Sequence, residues 1–197
     1  MKFNEKEISL LLKDLLLNKE IELSDIPDLE LYMDQVITLF DDKLNHLKRF
    51  YDEKLMTKTM INNYTKSKIL IPPNKKKYSK EHMILLILIY NLKQSLSIND
   101  IGILFKDLLD HISTYNDVDL HKIYESFLEI KKHQATALKN ELPDKIKLIE
   151  ESTTSLDLPN KDLSQMLIFV LSLINEANIR KRLAEKIIDG FFTNDRL

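Results

Sequence analysis

Apolar residues recur along the chain at helical rather than alternating spacing. Over residues 4–17, Ile8, Leu11, Leu12 and Leu15 follow a helical period while Glu5, Lys6, Lys13 and Asp14 fall elsewhere, which predicts an amphipathic helix. Leu23-Ser24-Asp25-Ile26-Pro27 reads as a stop and restart, because proline is tolerated in a first turn but breaks a helix interior. A longer helix from about Asp28 is expected to bury Leu31, Tyr32, Val36, Leu39, Phe40, Leu44 and Leu47. Thr57 then caps a short helix through Tyr64, its hydroxyl being able to accept an orphan backbone N–H. Pro72 and Pro73 push Ile69-Leu70-Ile71 out of the helical region, so that segment is expected to be extended. Ser79 opens a helix in which Met83, Leu85, Leu86, Leu88, Ile89 and Leu92 leave almost no polar face, the pattern of a buried helix. Ser97 with Asp100 three residues on resembles a capping box and opens another helix through Leu108.

The polar run at residues 113–119 marks a boundary, beyond which helices are expected at about 119–142, 144–154 and 160–189, punctuated by Pro143 and Pro159. In the last, Leu163, Leu167, Val170, Ile174, Ala177, Ala184 and Ile188 keep coiled-coil spacing, broken where Lys181 stands at a seam position. The organisation expected is an amphipathic helix over 1–24, a central domain over 25–112, and a C-terminal helical bundle or dimerisation region over 113–197.

Composition reinforces the helical reading. Two glycines, Gly102 and Gly190, and five prolines supply few of the tight turns that hairpins and barrels need, so the fold class is all-α. The absence of cysteine excludes disulfides, thiolate zinc sites and a cysteine nucleophile. The apolar runs Met83–Leu92 and Leu163–Ile174 fall short of the ~20 residues a membrane span needs, and the N-terminus does not read as a signal peptide. A cytoplasmic location without membrane association is expected.

Charge adds what periodicity does not. The formal net charge of -2 conceals a segregation: residues 1–42 hold four Lys against eleven acids, whereas residues 43–93 hold twelve Lys and Arg against only Asp52, Glu53 and Glu81. A basic island inside an acidic chain is a candidate polyanion site. No enzyme is expected. The histidines, His46, His82, His111, His121 and His133, are dispersed, and Asp107, Asp110, Asp117 and Asp119 lack the spacing and glycine of a calcium loop. His82, in a first helical turn beside Glu81, suits a surface or capping role. No cofactor or metal is expected.

The order of elements over 57–105 resembles the DNA-binding domain of MerR-type regulators. Thr57, Ile61, Tyr64, Leu70-Ile71-Pro72-Pro73, Tyr78-Ser79-Lys80-Glu81, Ile89, Leu92-Lys93 and Leu96-Ser97-Ile98-Asn99-Asp100-Ile101 carry the likeness, with Tyr32-Met33-Asp34-Gln35-Val36 standing for the first helix. Asp25-Ile26-Pro27, Tyr32–Val36, Thr57–Tyr64 and Lys75–Ser79 also resemble a bacterial family known only as a domain of unknown function. The MerR resemblance implies a winged helix-turn-helix, a sequence-specific double-stranded DNA-binding transcription regulator, and a homodimer. An effector is not identified.

On that implication Lys58, Thr59 and Asn62 turn toward the groove, Asn63 being the lesser contact because consecutive helical residues diverge by 100°, while Lys66, Lys68, Lys75, Lys76 and Lys77 neutralise phosphates and Tyr78 lies in the core or faces a phosphate. The chain departs from the MerR pattern in having Asn62 and Asn63 where an arginine and a tyrosine are usual, Lys68 where glycine ends the helix, and a shortened wing. The stretch from Val36 to Thr57 also exceeds a standard helix-turn-helix connection. The alternative is a protein interaction module that keeps the helix-turn-helix core without binding DNA.

Overall fold

A computed structural model describes residues 2–112, 118–154 and 160–193. Most of the expected boundary at 113–119, and Pro159, lie outside the described residues. Helices dominate: α1 (Glu5–Asp14), α2 (Met33–Leu44), α3 (Lys58–Lys66), α4 (Lys80–Leu92), α5 (Ile98–Asp110), α6 (Leu120–Ser152) and α7 (Lys161–Ile187). Strands β1 (Leu31–Tyr32) and β2 (Lys77–Tyr78) form a two-stranded antiparallel ribbon, with Leu31 opposite Tyr78 and Tyr32 opposite Lys77. The all-α expectation holds at this level. No helix among the described residues is long and apolar enough to cross a membrane.

The chain divides into two compact units, Met1–Asn18 with Glu129–Arg182, and Lys19–Leu128 with Leu183–Leu197. In the first, Phe3, Ile8, Leu142, Ile146, Ile149 and Phe169 make a small core, Phe3 meeting Phe169 edge to face at 5.9 Å. Asn4 caps α1 by accepting from the Glu7 N–H, and the Phe3 N–H donates to the Asp162 carboxylate at 3.1 Å. Only Ile8 and, in part, Leu12 turn inward; Leu11 and Leu15, expected on the same buried face, are half exposed. The expected break at Pro143 is absent. Helix α6 runs through it, and the proline, lacking an N–H, leaves the Lys139 carbonyl without its intrahelical donor.

The second unit is built around α4, whose Met83, Ile84, Leu85, Leu86, Ile87 and Ile89 are almost wholly buried, as its unbroken apolar sequence dictates. Val36, Phe40 and Leu44 of α2, Ile61 and Tyr64 of α3, Ile101 and Phe105 of α5 and Tyr124 of α6 close around it. The Tyr124 hydroxyl donates to the Ile21 carbonyl at 2.5 Å, and burial raises its pKa well above the usual phenol range. The helix expected from Asp28 begins instead at Met33. Its start is fixed by the Tyr32 N–H donating to the Gln35 side chain at 2.8 Å, which leaves Leu31 and Tyr32 free to pair as a strand. Tyr32 and Leu47, expected to be buried, are exposed.

Candidate functional site

Helix α3 begins where Thr57 Oγ1 accepts from the Met60 N–H at 3.2 Å. Ile61 and Tyr64 face the core, and Lys58, Thr59, Asn62, Asn63 and Lys66 are all exposed. At 3.6 residues per turn those five side chains fall within an arc of about 140°, with Ile61 and Tyr64 on the other side. One helix surface therefore carries both asparagines and two lysines, with Thr59 and Lys66 near its middle.

The end of α3 is a complete Schellman motif. The Lys68 N–H donates to the Thr65 carbonyl and the Ile69 N–H to the Tyr64 carbonyl, with buried Ile69 against buried Tyr64. The residue that must turn left-handed is Lys68, at φ 58°. Glycine is the residue expected there, and Lys68 holds the conformation at a backbone penalty.

The same choice is made again a few residues on. Ile69 and Leu70 anchor the extended segment in the core, and the chain reverses at Asn74–Lys77, where the Lys77 N–H donates to the Asn74 carbonyl at 2.9 Å. Lys75 and Lys76 form the tip, both left-handed at φ 47° and 66°. Positive φ at both central residues is the type I′ requirement that Asn-Gly normally meets. Lys77 lies along the ribbon, its Nζ 5.6 Å from the centre of the Tyr32 ring.

Tyr78, expected among the contacting side chains, is only 2% exposed and packs edge to face on His82 at 5.7 Å, so it supports the hairpin from beneath. Burial raises its pKa. His82 takes the capping role: the Ser79 N–H donates to its Nδ1 at 3.1 Å, and its Nε2 lies 3.3 Å from the Pro72 carbonyl. The ring thus links the segment leading into the hairpin to the start of α4. Ser79 Oγ donates to Glu81 at 2.6 Å, which helps hold that carboxyl below its ordinary pKa despite burial.

The long connection between α2 and α3 sets the placement of this surface. Lys48 pairs with Asp41 at 3.0 Å in the later part of α2, and Lys58 pairs with Asp34 at 2.7 Å in its first turn. The connection thus runs back along α2, with Leu55 and Met56 buried beneath and Lys93 donating to the Leu55 carbonyl at 3.2 Å. In a tight-turn motif the second helix would begin near the C-terminal end of the first. Here the start of α3 returns to the start of α2, beside β1, which is paired with the hairpin strand.

Of the expected residues, Lys58 is engaged by Asp34 and Lys77 lies against Tyr32. Lys66, Lys68, Lys75 and Lys76 are exposed and form no ion pair among the described residues. Sequence reasoning missed Tyr32 as part of this surface by assigning it to a helix. The available signal was Gln35, a capping residue three positions on.

Residues 21–127 match the model of a family described as Domain of unknown function (DUF1836). The chain belongs to that family. The matched stretch falls within the Lys19–Leu128 segment of the second compact unit and contains the capped helix, the lysine hairpin and the β1–β2 ribbon. The DUF1836 region therefore includes every candidate residue of the basic surface, and α7 lies outside it. No curated protein and no solved structure matches the chain.

Proposed function

We propose that this DUF1836 protein is a MerR-like winged helix-turn-helix regulator that binds double-stranded DNA sequence-specifically. Helix α3 enters the major groove and the Asn74–Lys77 hairpin acts as the wing on the phosphate backbone. The observation that carries this reading is the conformational choice at Lys68, Lys75 and Lys76. Each holds a left-handed backbone at a cost of about 1–2 kcal/mol relative to a glycine-like residue, and none is repaid by an ion pair among the described residues. Leu16 shows that a left-handed surface residue need not be functional, but three lysines in that conformation within nine positions present cations suited to phosphates.

Division of labour follows from chemistry. Lys66, Lys68, Lys75 and Lys76 supply the sequence-independent, salt-dependent part of the affinity. Asn62 and Asn63, exposed on the same helix surface, present amides that match the N6 and N7 edge of adenine. Selection of bound sequences from a random duplex pool tests the proposal. Enrichment of a defined motif is expected, and a pool that stays random after repeated rounds refutes sequence-specific recognition.

One observation favours the docking-module alternative. A groove of about 450 Å³ runs along α2, with Pro27, Leu31 and Leu39 among its apolar lining and Asp34 and Asp42 at its sides. With Lys43 also in the lining and Asp34 already paired with Lys58, the groove suits a mainly apolar segment. A duplex-binding defect caused by lysine substitutions in the hairpin separates the two readings, because the groove contains none of those lysines.

A further inference from the structure

The long connection between α2 and α3 carries two neighbouring aromatic side chains that take no part in the core. Phe50 is 63% exposed and Tyr51 fully so. The turn that presents them is nevertheless built. The Glu53 N–H donates to the Phe50 carbonyl at 3.1 Å, and the Glu53 carboxylate folds back to accept the Arg49 N–H at 2.7 Å. Arg49 lays its guanidinium 5.3 Å from the centre of the Phe50 ring. Arg49 and Lys54 are exposed and form no ion pair among the described residues, with Asp52 as the opposing charge at the tip. The turn sits beside α3. Lys93 Nζ donates to the Leu55 carbonyl at 3.2 Å and lies 3.8 Å from Met60 Sδ, so the residues just after the turn are held against the first turn of α3. From Glu53 to the Thr57 cap is four residues, at most about 14 Å of chain. The hairpin adjoins the start of α2 through β1, whereas the turn follows Lys48, paired with Asp41 about 10 Å further along that helix.

We propose that the Arg49–Tyr51 turn is a second duplex contact, in which the Phe50 and Tyr51 rings pack into the minor groove next to the α3 site and Arg49 meets its base-edge acceptors. This rests on the duplex-binding reading of α3 and the hairpin. A minor groove about 6 Å wide admits a turn but not a helix, attracts arginine, and is the groove that proteins wedge with apolar side chains. The two rings offer roughly 300–400 Å² between them, well short of the ~800 Å² per partner of a specific protein interface. A patch of that size serves as an added contact to a ligand held elsewhere, and the exposed surface next to it is that of α3. A tight-turn helix-turn-helix has no residues in this place, so the contact belongs to the longer connection of this chain.

The sequence contains no tryptophan, so Tyr51→Trp sets a lone indole at the tip without touching the core. In the full chain, saturating duplex that carries the selected motif in A·T-rich flanks should shield that indole from acrylamide. Combining Phe50→Ser with Tyr51→Ser should keep the helical circular dichroism spectrum and lower duplex affinity about tenfold, the scale of a lost ring–base contact. Its salt slope should match that of the native chain because the rings carry no charge, whereas loss of the hairpin lysines flattens the slope. Methylating adenine N3 in the flanks should impair binding of the native chain more than that of the double variant. An indole that stays open to acrylamide on bound duplex, an unchanged affinity in the double variant, or equal methylation interference would overturn this inference alone and return the rings to a protein partner. A native chain that binds no duplex would overturn the inference together with the DNA-binding reading.

Discussion

Lys75 and Lys76 offer the sharpest test of single residues, because their charge and their backbone conformation pull in opposite directions. Combining Lys75→Asn with Lys76→Gly supplies the Asn-Gly sequence that a type I′ turn favours and removes two cations. The doubly substituted protein should unfold at a stability about 1–2 kcal/mol higher. Its duplex affinity should fall, with a salt dependence shallower by up to about two units. Higher stability with unchanged binding would return these lysines to the solvated surface. Asn62 is the second test. With Ile61 and Tyr64 turned to the core, Asn62 shares its side of α3 with Lys58 and Lys66. Asn62→Ala should cost about 1–3 kcal/mol on the selected duplex and little on random duplex, measured by competition, and Asn63→Ala should cost less. Equal losses on both duplexes would remove Asn62 from base readout.

Among the elements, those whose ends are fixed by local chemistry were legible in the sequence. Thr57, Ser79 and Ser97 are side chains with short-range partners, and helices α3, α4 and α5 begin immediately after them. The Pro72-Pro73 stop and the left-handed demand on Lys68 could likewise be read from a few neighbours. What depended on distant partners was not legible. Leu31 and Tyr32 form a strand because Tyr78 and Lys77, more than forty positions away, lie opposite them. Leu11 and Leu15 have helical spacing, but spacing does not reveal how wide a face the core will cover. Position in the hairpin suggests that Tyr78 belongs to the binding surface, whereas strand alternation puts its ring inward, beside His82. Pro143 is the opposite error: a local rule overridden by packing, with Leu142 and Ile146 on either side of it buried in the core. Because the Pro143 side chain is exposed and its imide cannot donate to the helix, Pro143→Ala should raise stability by about 2–3 kcal/mol in urea unfolding. A loss of stability would mean that the proline sets a bend the core requires.

Across the whole chain, charge is segregated along the sequence. The basic excess of residues 43–93 lies wholly within the DUF1836 match. The central claim is that the lysines of the hairpin meet phosphates, and salt titration of duplex binding addresses it most directly. Fluorescence anisotropy with a labelled duplex, from about 50 to 200 mM salt, should show the native affinity falling steeply. Replacing Lys75, Lys76 and Lys77 together by Ala should weaken binding to all sequences alike and lower the slope by about two units, or up to about three if Lys77 leaves Tyr32 for a phosphate in the complex. Replacing the exposed Lys139 of α6 should change neither. Absence of duplex binding by the native chain, or an unaltered slope in the triple variant, would contradict the account.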